Sequence, residues 1–253
     1  MINQEICLLN DGFPPIIDGV SNVVVNYGGI LTEKGIKAAV AAPDVEGADD
    51  SAYPFPVLRY QSLDLREQIG YTVGNPFSLS LMHRLREHDI GLVHSHCPMM
   101  SQFLARQIRE MQDVPVVMTY HTKYDIDIAN ALKGKLLQKG AVSALVENVS
   151  ACDELWVVSR GAGENIRSLG YQGDYIVMEN GVDMPKKRAS EEEIQKACYG
   201  YDLPENVPLF LFVGRLMWYK GIRIILDALK ALDSQEVDFR MVFVGSGKDE
   251  QEI

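Results

Sequence analysis

Short apolar runs alternate along this chain with longer stretches whose apolar residues recur every three to four positions. Ile6-Cys7-Leu8-Leu9 predicts a first strand, and the turn-rich Asn10-Asp11-Gly12-Phe13-Pro14-Pro15 follows it. A helix is expected from about Ser21 to Glu33, stopping at Gly35, then a strand over Ala38–Ala42 and a short one near Val57–Leu58. Leu79, Met82 and Leu85 mark a helix within Ser78–Glu87, and Met100, Leu104, Ile108 and Met111 share one face of another. Strands are expected over Ile90–His94, Val114–Met118, Leu155–Val158 and Tyr175–Met178. One long helix is expected over Ile128–Ala151 and a shorter one near Gly163–Leu169. Strands of four to six residues separated by helices predict βαβ units, hence an α/β fold with a parallel sheet covered on both faces.

The pattern changes character from Pro185. Lys186 to Glu193 is charged, and Ser190 with Glu193 has the spacing of a capping box. The α/β alternation then restarts with strand Leu209–Val213, a helix over about Gly221–Leu232 and strand Phe239–Val244. This places a domain boundary near Asp183–Pro185, with a first domain over 1–184 and the start of a second over 185–253. Two strands and one helix are too little to be stable alone. The exposed apolar edge of such a unit predicts self-association, or disorder after Pro185.

Composition narrows the class. With 47% apolar and 23% charged residues the chain matches an ordinary globular protein. A net charge of −11 argues against general nucleic-acid binding, which needs a cationic surface. Cys7, Cys97, Cys152 and Cys198 form no C-x-x-C pair, which favours a reducing, cytoplasmic setting over disulfides or structural zinc. No apolar run approaches the length of a membrane span. The four lysines Lys123, Lys133, Lys135 and Lys139 make a local basic stretch, read either as a solvated helix face or as contact with anionic lipid headgroups at the inner membrane face.

The unusual residues gather at the carboxyl ends of the expected strands, where ligands sit in open α/β sheets. His94-Ser95-His96-Cys97-Pro98 ends one strand and Tyr120-His121-Thr122 another. Three histidines and a cysteine raise a metal reading, but Cys97 points away from His94 and His96 in a continued strand, and no carboxylate has a familiar ligand spacing. No metal is expected. The alternative is that His94 and His96 satisfy backbone groups, while His121, flanked by hydroxyls, can donate to a substrate oxygen. The glycines Gly12 and Gly19 are too far apart for a dinucleotide fingerprint, so a dehydrogenase or epimerase is disfavoured. Gly19 at a helix start reads equally as a turn glycine or as a backbone donor to an anion. Val244-Gly245-Ser246-Gly247-Lys248 lacks the first glycine and final hydroxyl of a phosphate loop. The junction Gly214-Arg215-Leu216 with Lys220-Gly221, between a strand and a helix, aims two cations at one point, as a diphosphate requires.

Taken together these motifs resemble the retaining GT-B glycosyltransferases of the group-1 type, glycosyltransferase family four. Asn10 to Val20 looks like the family's opening loop, His94-Ser95-His96 and Tyr120-His121-Thr122 like its two cleft strand ends, and Gly214-Arg215-Leu216 with Lys220-Gly221 like its donor-phosphate motif. Glu179-Asn180-Gly181-Val182-Asp183 is similar to the interdomain P-N-G-V-D motif, with Glu179 in place of proline. The histidine-rich strand ends look most like the subgroup that glycosylates lipids. The resemblance implies a Rossmann-like acceptor domain, the start of a nucleotide-sugar-binding domain, and hexose transfer from a nucleotide-diphosphate sugar with retention, without metal or other cofactor. Arg215 and Lys220 would hold the departing diphosphate, Gly19 would donate to it, and His121 would contact the sugar as the catalytic residue. Asp18, Tyr120, Thr122 and Lys123 would contact the acceptor. The family's second-domain E-x7-E motif would lie beyond Ile253, so the resemblance also implies that the chain alone lacks catalytic residues. The competing reading is a non-catalytic module that binds an acceptor or an anion.

Overall fold

The computed structural model describes residues 4–16, 18–65, 71–182, 187–201, 203–204 and 206–253. The chain divides into two units, Met1–Val182 and Asp183–Ile253. The expected boundary at Asp183–Pro185 lies outside the described residues, as does Asp183 of the motif ending there.

The first unit is built on β1 (Glu5–Leu9), α1 (Gly19–Glu33), β2 (Ala38–Pro43), β3 (Val57–Tyr60), β4 (Ser62–Leu65), β5 (Tyr71–Gly74), α2 (Leu79–Leu85) and β6 (Ile90–Ser95). It continues with α3 (Met100–Gln112), β7 (Val116–Tyr120), α4 (Tyr124–Ala131), α5 (Lys135–Ser150), β8 (Glu154–Val157), α6 (Arg160–Ser168) and β9 (Ile176–Val177). Seven strands form one sheet in the order β3-β2-β1-β6-β7-β8-β9, and every pairing between them is parallel. Such a sheet must be covered on both faces, and β2 shows why its strands read as unbroken apolar runs: all six of its residues are buried. On one face Leu8, Val24, Val40 and Phe55 pack together under α1. On the other, Cys7, Leu9 and Val93 meet Leu81 and Leu85 of α2 and Leu104 and Ile108 of α3. Met118, Tyr120, Leu155 and Val157 extend the core to Leu145 and Val149 of α5 and Ile166 of α6. Each large apolar side chain so buried contributes about 1.5–3 kcal/mol.

The strand order reverses between β1 and β6. Their carboxyl ends therefore flank the crevice in which open α/β sheets take their ligands.

One expectation is corrected, and one pair of strands is additional to those expected. The single helix over Ile128–Ala151 is two helices, α4 and α5, because Gly134 adopts φ 105° and interrupts the helical path. The antiparallel pair β4–β5, with Leu63 opposite Val73, is not visible in the hydrophobic pattern, since four-residue strands leave too few alternations to register.

In the second unit, α7 (Glu191–Cys198) carries the expected capping box between Ser190 and Glu193. Strands β10 (Leu209–Val213) and β11 (Arg240–Val244) pair in parallel, and α8 (Ile222–Asp233) connects them. Leu209, Leu211 and Val213 are more than half exposed along β10. Among the described residues no helix is long and apolar enough to cross a membrane.

Candidate functional site

The loop from β1 to α1 sends out two carboxylates with different tasks. Asp18 caps α1: its Oδ1 accepts from the Val20 N–H at 2.7 Å and the Ser21 N–H at 2.9 Å, and its Oδ2 from the Ser21 hydroxyl at 2.7 Å. Gly19 follows, and a Cβ built there would meet nothing within 4 Å, so this end of the helix borders open space. Positive helix ends of this kind attract anions. Asp11 reaches across to α3, whose N-cap Met99 provides no side-chain cap. The Asp11 carboxylate accepts from Cys97 Sγ at 2.9 Å, the Met100 N–H at 3.1 Å and the Ser101 N–H at 2.6 Å, and from the Ser101 hydroxyl. Burial raises its pKa, while those four donors pull it back down. Cys97 is therefore turned toward Asp11, and burial and that carboxylate together push its thiol pKa well up.

Three imidazoles line up across the ends of β6 and β7. His94 lies 2.8 Å through Nε2 from the Thr119 hydroxyl, which corrects the expectation that it satisfies backbone groups. The His94 and His96 ring centroids lie 4.1 Å apart, and Tyr27 from α1 packs against both in T-shaped fashion. Trp156 of β8 closes on His94 with ring centroids 5.0 Å apart. His96 Nδ1 is then 3.1 Å from His121 Nε2, with the two rings stacked. Burial disfavours the imidazolium in all three: His94 is held down to about 3, His121 to about 4, and His96 well below its ordinary value. The Asp18 carboxylate offsets part of this at His121.

The structure thus brings Asp18, Gly19 and His121 to the carboxyl ends of β1 and β7. Thr122 and Lys123 are exposed just beyond, at the start of α4. Tyr120 is elsewhere: its ring is fully buried and its hydroxyl donates to Asn165 Oδ1 at 2.9 Å, which commits it to the core rather than to an acceptor. Sequence reasoning missed Asp11, Tyr27, Thr119 and Trp156. Their side chains matter through contacts between separate elements, which no local spacing reveals.

In the second unit Arg215 and Lys220 are both exposed, and their cationic groups lie 5.8 and 5.4 Å from the same Tyr219 ring. The expected direct passage from strand to helix is interrupted by a 3-10 turn, Trp218–Lys220, and by Gly221 at φ 80°. The Trp218 N–H donates to Asp249 Oδ2 at 2.9 Å and pins that turn. The glycines after β11 also acquire a reason. A Cβ on Gly245 would lie 2.0 Å from the Gly214 carbonyl oxygen, and one on Gly247 2.1 Å from that of Leu216. Close backbone packing, not a phosphate loop, explains Gly245-Ser246-Gly247.

The chain is similar to known proteins in sequence and in fold. A family model described as Glycosyltransferase Family 4 matches residues 17–185, and one described as Glycosyl transferases group 1 matches residues 194–253. The chain is 26% identical over 94% of its length to sulfoquinovosyl transferase from Arabidopsis thaliana, covering 46% of that protein. It is 26% identical over 66% of its length to a teichuronic acid biosynthesis glycosyltransferase, so named putatively, from Bacillus subtilis, and covers 41% of it. It is 21% identical over 69% of its length to alpha-monoglucosyldiacylglycerol synthase from Streptococcus pneumoniae, covering 38%. The chain thus spans less than half the length of these curated relatives. Among solved structures, sucrose-phosphate synthase from Thermosynechococcus elongatus superposes with a TM-score of 0.67 at 16% identity, over 96% of this chain and 71% of that one. The catalytic domain of starch synthase IV from Arabidopsis thaliana, bound to ADP and acarbose, gives 0.61 at 12% identity, over 98% and 69%. At these identities the likeness establishes the fold, an α/β architecture of the GT-B type.

Proposed function

We propose a hexose-transfer function for this chain, which belongs to glycosyltransferase family 4. The donor is a nucleotide-diphosphate sugar, the anomeric configuration is retained, and neither a metal nor another cofactor takes part. The observation that carries the reading is the placement of His121, backed by His96 and within electrostatic reach of the Asp18 carboxylate that caps α1, at the carboxyl edge of the parallel sheet. In the first unit His121 contacts the sugar near the reacting carbon and the Gly19 N–H serves as an anion donor. Asp18, Thr122 and Lys123 border the acceptor. In the second unit Arg215 and Lys220 stabilise the charge that builds on the departing diphosphate. Charge stabilisation of this kind is the usual largest contribution to such a reaction.

A lipid acceptor is supported by two observations. A relative named for monoglucosyldiacylglycerol synthesis is among the matches. The start of α5 also exposes Leu136 and Leu137 beside Lys133, Lys135 and Lys139, a surface suited to an anionic membrane face.

Incubation with UDP-, GDP- and ADP-hexoses, each with diacylglycerol, phosphatidylinositol or a soluble glycan, tests the reading. Release of nucleoside diphosphate together with a glycosylated product is the expected result. Saturable binding of diphosphate or acceptor without turnover would instead favour a non-catalytic binding module.

A further inference from the structure

His96 is the most enclosed member of the histidine row, and its geometry restricts where protons can sit. Its side chain has no exposure to solvent, and among the described residues its Nε2 has no hydrogen-bond partner. Its other nitrogen, Nδ1, lies 3.1 Å from His121 Nε2. One proton is shared across that contact, and either ring can own it.

If His121 donates from Nε2, then His96 accepts at Nδ1 and carries its own proton on Nε2. That proton would be a buried N–H with no acceptor. If His96 donates from Nδ1, its Nε2 presents only a lone pair to the surrounding rings. Orphaned buried N–H groups are rarer than under-satisfied acceptors. Among the described residues, the rings packed on His96 besides His121 are those of His94 and Tyr27, with centroids 4.1 and 5.3 Å away, and neither makes a hydrogen bond to Nε2.

We infer that His96 is a positioning residue which, by donating from Nδ1, fixes His121 in the Nδ1–H tautomer. His121 then accepts at Nε2 and keeps a single proton on Nδ1. Among the described residues no acceptor is bonded to that proton, so it is the donor His121 has to offer a ligand oxygen. Adding a proton to His121 Nε2 would require His96 to give up its Nδ1 proton and carry one on Nε2, where nothing receives it. His96 thereby keeps His121 a neutral donor as well as orienting it, in line with the low pKa of His121. The use of that donor on a sugar rests on the function proposed above; the tautomer does not.

Long-range proton–nitrogen correlation spectra of the imidazole-labelled protein at neutral pH read the tautomers directly. Both His96 and His121 are expected as Nδ1–H tautomers. His96→Asn, whose amide nitrogen can donate from near the Nδ1 position, is expected to keep the Nδ1–H form of His121. His96→Phe fills the space without a donor and is expected to release His121 toward the Nε2–H form. An Nε2–H tautomer of His121 in the native protein overturns the inference, as does an unchanged Nδ1–H form in His96→Phe. If His96→Phe does not fold, the native spectrum alone decides. Absence of sugar turnover would count against the proposed function and leave this result standing.

Discussion

Asp11 in the loop after β1 and Ser101 in the first turn of α3 are 90 residues apart in sequence and joined by a 2.6 Å hydrogen bond from the Ser101 N–H to the Asp11 carboxylate. The same carboxylate takes the Met100 N–H and the Ser101 hydroxyl, so α3 is capped from another element rather than by its own N-cap residue. Losing a cap costs about 0.5–2 kcal/mol, and leaving buried donors unpaired adds about 1–3 kcal/mol. Asp11→Ala is therefore expected to lower the urea midpoint clearly, and Asp11→Asn to lower it less. Equal midpoints for Asp11→Ala and the native protein would remove Asp11 from this role.

The buried imidazoles set an acid limit. Unfolded, each takes up a proton near pH 6.5, whereas folded His94 and His121 wait until about 3 and about 4. Between those values the unfolded chain binds more protons, so stability present above pH 6.5 falls as the pH falls. Each pH unit in that window costs about 1.4 kcal/mol per histidine. Asp11 acts in the opposite sense: its raised pKa contributes stability that is full below the ordinary carboxylate range and lost as pH rises through the folded value. The melting temperature is expected to drop between pH 6.5 and 4, more gently in His94→Asn. A flat profile over that range would contradict the burial argument.

Gly28 lets α1 approach the sheet. A Cβ there would meet ring carbons of Phe55 at 2.6 Å, closer than real contacts allow. Overpacking of this kind costs about 1–3 kcal/mol. Gly28→Ala should lower stability by that order in thermal or urea unfolding, and Phe55→Leu in the same chain should recover part of it. Gly29→Ala is the control, since a Cβ there meets nothing within 4 Å.

His121→Ala and Lys220→Ala are each expected to reduce sugar transfer at least about 100-fold, the scale for a positioned proton-donating group or a charge-stabilising donor. Turnover measured with the active donor and acceptor pair checks this. A variant with native turnover would lose its place in the mechanism.

The α5 start predicts selective membrane contact. Flotation with vesicles rich in phosphatidylglycerol should exceed flotation with phosphatidylcholine alone. Removing one of Lys133, Lys135 or Lys139 should weaken binding by about 1 kcal/mol, roughly fivefold. Leu136→Ser with Leu137→Ser should weaken it further, because both side chains are mostly exposed and available to insert. Equal binding to both vesicle types would leave no electrostatic component to explain.

Much of the fold was legible because its strands and helices are long enough to show their periods. β2 reads as a buried strand from composition alone, and α3 reads as amphipathic from four apolar residues on one face. Gly134 was legible in principle, but a glycine between two lysines looks like an ordinary helix surface until its φ of 105° is known. The candidate site could be named from the sequence at His121, Arg215 and Lys220, whose residue types are unusual for a strand end or a helix start, and their roles are those of the proposed function. It was not legible at Tyr120, where a motif neighbour shares the sequence but not the orientation: alternation along β7 buries its ring.

Hydrophobic period, turn residues and motif order by themselves determined an α/β chain of the glycosyltransferase type, because those signals are local and repeat along the sequence. Only the tertiary structure decided that Asp11 caps α3, that Tyr27 and Trp156 wall the histidine row, and that His96 stands behind His121. Those relationships join residues from 25 to 90 positions apart where a stated hydrogen bond fixes them. They exist because parallel strands bring distant chain segments side by side at one edge. Hydrogen-bond direction and burial there depend on which neighbours arrive, and no single segment carries that information.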